Sequence, residues 1–532
     1  MSTTQILRAT LASGVFRSKL YRRVALDGPV PSELRRPFPQ HAPGDRTQAD
    51  AIVGNEFLFF GRRVHFGAMP WSVLPPGAKL AAALHGFSWL ADLKAAGTDV
   101  ARRRARALVI GWILTHRRWS AAAWAAPVLG KRLANWLSAA DFVLDGASGD
   151  ERARFLEAAG YQARHLARVS RQAGGSGAFS AMRGEIACAL CLDVYPAGSA
   201  LQRLDREIDR QIATDGGHPD RNPVVLLEIF QDLVDIRAAL TEAQEVVSPT
   251  LQGAIERMAP LIRTLRHGDG RLALFQGAKE SDRALIDSLL AASRVGAAAR
   301  PSAHDTRYER LTAGRTLVLV DVGAPPSDGH AAPLAFEMSY GRERIIVNCG
   351  AFGGDDARWQ AALRSTPAHS TLVVENASAL DAGWLVQRAL DVTALRQETG
   401  GATWLEGRHD GYRRRFGVVH HRRLYLADGG TDLRGEDLLE GRRGRAFRIR
   451  FHLHPDIDAA VANDTTSATL RTASGVAWRF LAVGGAIALE DSTYLGATDQ
   501  PRKSRQLVIS GTTHKDGALI KWALRQEADA VA

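Results

Sequence analysis

The sequence predicts an α+β chain in two parts: helical hairpins over residues 1–300, followed by an antiparallel β-sandwich over 301–532. Two observations carry this. Apolar residues recur every three or four positions through the first part, whereas short β-branched runs separated by turn signals fill the second, and the change falls near Pro301. A chain of 532 residues, 45% hydrophobic and 23% charged, has ample material for both cores.

Between Lys79 and Leu93 the residues Leu80, Leu84, Phe87, Leu90 and Leu93 share one helical face. Similar faces return at 102–115, 131–144, 151–169, 182–194, 201–212, 223–240, 251–265 and 281–291. The breaks between them are short and contain Gly, Pro or Asp, which suits consecutive hairpins in a bundle, a solenoid or a closed toroid. Beyond Pro301, residues 316–322, 344–348 and 370–375 read as strands. Phe447, Ile449, Phe451 and Leu453 alternate with Arg448, Arg450, His452 and His454, predicting one core face and one solvated basic face. Residues 478–489, broken by Gly484-Gly485, and 506–524, broken by Lys515-Asp516-Gly517, read as hairpins.

The net charge of +11 admits a polyanionic partner without demanding one. No zinc-finger spacing, basic region with heptads or aromatic RNP-like strand points to nucleic acid. Arginines and a lysine interrupt the apolar residues of the first 27, so no standard secretory signal is read there, and no apolar stretch approaches the roughly 20 residues of a spanning helix. Three cysteines encode no disulfide framework; Cys188 and Cys191 lie in an apolar helix and read as core.

Polar residues cluster at three places. In Asp215-Gly-Gly-His-Pro-Asp-Arg-Asn-Pro223, Asn222 caps a helix that begins at Pro223, and His218 and Arg221 are left over on a loop that can face a cleft. His330, Asn348 and His369 lie at strand ends. Two histidines are a start on a zinc site, but asparagine is a poor ligand, so zinc is expected to be weak or absent. His409 and Tyr412 sit beside a turn, followed by Arg413, Arg414 and Arg415; a phenol among cations can serve as acid or base, or be a half-buried strand residue.

The segments 84–93, Asp215 to Asn222, His330 through Phe336 into Ile345-Ile-Val-Asn-Cys-Gly350, and Ala368-His-Ser-Thr-Leu372 together resemble the heparinase II/III family of polysaccharide lyases. The resemblance implies an N-terminal α/α toroid, a C-terminal antiparallel β-sandwich and a cleft between them. It implies β-elimination on an acidic, uronate-containing polysaccharide in the cell envelope or periplasm, a location at odds with the missing signal. A base takes the C5 proton, an acid protonates the leaving C4 oxygen, and cationic groups neutralise the carboxylate. On this reading Arg221 neutralises the uronate, His218 or His369 is the base and Tyr412 the acid; Asn222, His409, Arg413 and Arg414 hold substrate. His330 matches the second histidine of the family's His-x-His pair and Asn348 falls where zinc-binding members carry aspartate. Asp328 replaces the first histidine, Val224 and Val225 stand where a tyrosine is common, and Ala178-Phe179 stand near where the family carries an Asn-His pair. The alternative is therefore a catalytically degenerate carbohydrate-binding protein used in assembly or export of surface polysaccharide.

Overall fold

The computed structural model describes residues 14–16, 18, 20–21, 24, 26–72, 77–117, 119–192, 194–380 and 390–527. Residues 1–13, with Arg17, Lys19, Arg22 and Arg23, on which the reading of the N-terminus rests, lie outside them.

The helices form an α/α toroid. Several expected helices appear with small changes at their ends. Gly149–Val169 starts at a capping box between Ser148 and Glu151, and Pro223–Glu242 starts with proline in its first turn under the Asn222 cap. The face expected over 79–93 is split into Ala78–Gly86 and Leu90–Ala96, because Phe87 takes a left-handed conformation (φ 60°) that ends the first helix. An unpredicted hairpin, Glu56–Phe59 with Arg62–His65, precedes both.

At the centre runs Gly177–Leu192, buried from Ala178 to Leu192. Cys188 and Cys191 are free thiols in this core, as their apolar surroundings predict. The helix crosses Ala126–Ser138 at a glycine contact: a Cβ on Gly184 would lie 2.4 Å from the Gly130 backbone. Neither helix can yield there without moving its neighbours, so Gly184→Leu is expected to destabilise the protein by at least about 1–3 kcal/mol, read as a fall in its urea midpoint.

Two antiparallel sheets follow. The first runs in the order Ala486–Tyr494, Arg502–Thr512, Ala446–Leu453, Glu343–Val347, Phe336–Tyr340, Thr316–Asp321, Tyr308–Ala313, Ser302–Ala303, with Leu372–Val374 also paired to Ala446–Leu453. The second runs Asp458–Val461, Ser467–Arg471, Ala477–Val483, Ala518–Gln526, Asp432–Gly441, Val418–Leu426, Ala402–His409, Val392–Thr399. The first sheet lies between the helices and the second sheet. Its strand Thr316–Asp321 is therefore buried on both faces, which explains a continuous apolar run rather than alternation. Tyr308, Leu317 and Leu319 join the helical core, while Val318, Val320 and Phe336 join the core between the sheets.

Three expectations are corrected. The two presumed hairpins are corners: Ala477–Val483 and Ala486–Tyr494 belong to different sheets, as do Arg502–Thr512 and Ala518–Gln526. A Gly-rich break permits either outcome, and only the partners of each strand decide it. The basic face of Ala446–Leu453 is not uniformly solvated, because Arg450 and His452 are only 8% and 4% exposed. His452 hydrogen-bonds Ser492 Oγ (2.8 Å) and the Pro367 carbonyl (3.0 Å). Among the described residues no helix is long and apolar enough to cross a membrane.

Candidate functional site

Where the toroid meets the first sheet, the structure brings together four of the residues singled out by sequence: Arg221, Asn222, His330 and His369. Arg221 precedes the helix Pro223–Glu242 in a left-handed conformation (φ 51°), and Gln276 beside it does the same (φ 51°). Such backbone persists only where its surroundings hold it. The hold on Arg221 is nearly complete. Its guanidinium donates to the carbonyls of Thr306 (2.8 Å), Ala324 (2.9 Å) and Arg307 (3.2 Å), pairs with Asp321, and lies over the Tyr308 ring. Burial works against the charge, but Asp321 and Tyr308 together outweigh it and the group is held above its ordinary pKa.

Asp321 also accepts from Gln276 Nε2 (2.6 Å), and Gln276 Oε1 in turn accepts from the His330 backbone N–H (2.9 Å). His330 and His369 are in contact, with Nδ1 of the former 3.0 Å from Nε2 of the latter. The Ser365 carbonyl, 2.9 Å from His369 Nδ1, can only accept, so that nitrogen carries the proton. His369 Nε2 then accepts from His330 Nδ1–H, and His330 Nε2 is left as a bare acceptor. It faces Gly277 close to Asn222: a Cβ on Gly277 would lie 3.1 Å from His330 Nε2 and 3.6 Å from Asn222 Nδ2. Both imidazoles are buried, which drives His369 down to about 4 and His330 well below its ordinary value, so both are neutral at pH 7. Asn222 caps its helix through Val224 N (2.8 Å) and Val225 N (3.2 Å), and donates to the Gln276 carbonyl (2.9 Å).

The residues do not fit a zinc centre. The lone pair that His369 would offer is used by His330, and Asn348 is turned away, bonding Glu337 (2.9 Å) and Ser370 N (3.0 Å). Among the described residues no group of three His, Cys, Asp or Glu side chains is placed to hold a metal.

Of the other candidates only His218 borders this cluster, beside Arg221 and Asn222. His218 bonds within its own segment: Nδ1 accepts from Asp220 N–H (3.2 Å), so Nε2 carries the proton and donates to Gln211 (3.0 Å). The cavity that His218, Arg221, Asn222 and Tyr308 line measures about 10 Å³. Tyr412 is 1% exposed in the core between the sheets, donates to the Leu372 carbonyl (3.0 Å), and has its pKa raised by burial. His409 points into the same sandwich: Nδ1 accepts from Gly411 N–H (3.2 Å) and Nε2 donates to His420 (3.1 Å). Tyr412 is thus neither on a half-exposed strand nor at the junction. Arg413 and Arg414 lie exposed on the short helix Arg413–Phe416, on the sandwich.

Sequence reasoning missed Asp321, Gln276, Glu337 and His267. His267 from the helical part meets Glu337 on the first sheet at 2.9 Å, both fully buried. Burial would raise the Glu337 carboxyl, but His267, Arg344 and backbone N–H groups hold it below its usual range. Arg344 reaches Asp269 in the same way (2.8 Å). An isolated acid within an apolar strand, as at Asp321 and Glu337, was the available signal, since a buried charge requires a partner.

Comparison with known proteins follows this architecture. Residues 296–523 match the family model described as heparinase II/III-like, C-terminal. The chain is 30% identical over 548 residues to FtsZ-localized protein C of Caulobacter vibrioides (strain NA1000 / CB15N), spanning 97% of this chain and 93% of that protein. In fold it is similar to a crystal structure of heparinase III, with a TM-score of 0.73 at 13% identity over 98% of this chain and 91% of that one. It is also similar to the heparan sulfate lyase HepC from Pedobacter heparinus, with a TM-score of 0.60 at 14% identity over 99% and 89%. Toroid, sandwich, family model and full-length relative agree: the chain belongs to the heparinase II/III-like family.

Proposed function

We propose that this chain is a non-catalytic member of its polysaccharide lyase family, acting by binding, and that it localises with FtsZ as its full-length relative's name records. One observation carries the reading: the arginine, the His369 base and the phenol that the sequence assigns to β-elimination are consumed by internal partners. Arg221 is bound to Asp321 and three carbonyls, His369 is bonded through both nitrogens, and Tyr412 is sealed in the sandwich core. The cavity of about 10 Å³ beside His218 and Arg221 compares with roughly 300–1,000 Å³ for a ligand cleft, so a sugar ring finds no room there. On this reading residues 1–300 and 301–532 are two domains welded at a former cleft.

Two measurements test it. Incubation with a panel of acidic polysaccharides should give no rise in the ultraviolet absorbance of unsaturated uronate, and the protein should co-sediment with FtsZ polymers. A rise abolished by His369→Ala would restore the lyase reading; failure to co-sediment would remove the FtsZ role.

A further inference from the structure

The second sheet turns one face away from the first sheet. Its alternation places Leu405 and His409 inward and Trp404, Glu406 and Arg408 outward on Ala402–His409. Register then aligns two rows across the middle strands. One reads Trp404, Tyr425, Arg434, Ala523, Leu481; its neighbour reads Glu406, Arg423, Glu436, Lys521, Val483. Between them lies an open groove of about 540 Å³, inside the range of small-ligand clefts.

Trp404 is 47% exposed, and among the described residues it is the only exposed tryptophan. Its ring centroid is 4.5 Å from that of Tyr425 with the planes tilted 48°, making an aromatic corner, and the Arg434 guanidinium sits 5.5 Å from the Tyr425 ring. Cross-strand packing accounts for the pairing but not for an indole left in water, whose burial is worth much more. Three cations, Arg423, Arg434 and Lys521, and one carboxylate, Glu436, line the groove, so it carries a positive excess, with Glu406 and Asp432 pairing to Arg423 and Arg434 at its margin. Such surface pairs are weak and exchange readily for a ligand carboxylate.

We propose that this groove binds an acidic glycan. A pyranose ring stacks on Trp404 in the corner made with Tyr425, Arg434 receives a uronate carboxylate, and Arg423, Glu436 and Lys521 supply donors and an acceptor to hydroxyls. A peptide is less well served, because the groove crosses central strands whose neighbours are already paired, and extended peptides add to free sheet edges. The site is separate from the junction and stands whether or not the junction is catalytic.

The test titrates the full chain, followed by calorimetry, with hyaluronan, heparan sulfate and polygalacturonate oligosaccharides, with neutral dextran and polyglutamate as controls. At least one uronate oligosaccharide should bind, Trp404→Ala should weaken it by roughly tenfold or more, and Arg434→Ala should weaken it while reducing its salt dependence. Both side chains are on the solvent face, so melting temperatures should stay near the parent's. Unchanged affinity in Trp404→Ala, polyglutamate binding as tightly as the uronates, or no uronate binding at all would overturn the assignment. The unsaturated-uronate assay reports on the junction separately, so the two readings fail independently.

Discussion

Asp321→Ala is expected to destabilise the protein by about 3–5 kcal/mol, the cost of leaving a buried cation without its counter-charge. Arg221 would keep its three carbonyl acceptors, but these neutralise no charge, and only 9% of the residue reaches solvent. The loss spreads, because Asp321 also accepts from Gln276 (2.6 Å) and Gly323 N (3.1 Å), and Gln276 positions the His330 backbone. Urea unfolding of Asp321→Ala, Arg221→Ala and the double variant gives the coupling. A double variant about as stable as either single would confirm one shared interaction. A loss below about 1 kcal/mol for Asp321→Ala would mean that the junction is not welded through this pair.

How much of this was legible in the sequence follows the range of the interactions. The change of period near Pro301 reports which side of each element is buried, and it separated the helical part from the sandwich, while the closed toroid was implied by the family resemblance. The capping asparagine and Pro223 marked a helix start because capping is local. What sequence could not supply was the partner of a strand across the layers, so two corners were read as hairpins. The same limit applies at the junction. His330 and His369 were grouped only by their places at strand ends, and the pairing of Arg221 with Asp321 spans 100 residues. Tyr412 and His409 looked like site residues because they stand beside a turn and an arginine run. Their burial is decided by the second sheet closing over them, which no local pattern encodes.

Inside that sandwich, Asp437→Asn should cost as much as breaking the junction pair, about 3–5 kcal/mol at neutral pH. Asp437 is fully buried and all its neighbours donate: His420 Nε2 (2.7 Å) and Arg422 Nε (2.8 Å) to one oxygen, Trp522 Nε1 (2.9 Å) and Arg422 Nη2 (3.3 Å) to the other. An amide of the same size keeps one acceptor and turns N–H groups against a donor. His420 cannot adapt by changing tautomer, because its Nδ1 accepts from His409 Nε2–H, and His409 is fixed in turn by Gly411 N–H. Burial would raise the Asp437 carboxyl, but Arg422 and His420 hold it well below the usual carboxylate range. A depressed folded pKa gives stability that is fully present above the unfolded value, about 3.9, and is lost as pH falls through the folded value. The gap in urea midpoint between parent and Asp437→Asn should therefore be widest near pH 7 and narrow below about pH 4. Acid loss from buried histidines that do not touch Asp437 is common to both proteins and cancels, whereas His420, whose pKa Asp437 raises, is lowered further in the variant and opposes part of the narrowing. A gap that stays constant from pH 7 down to pH 3 would show that the amide disturbs packing alone, and that the ionised carboxylate is not what holds Arg422 and His420 in the core.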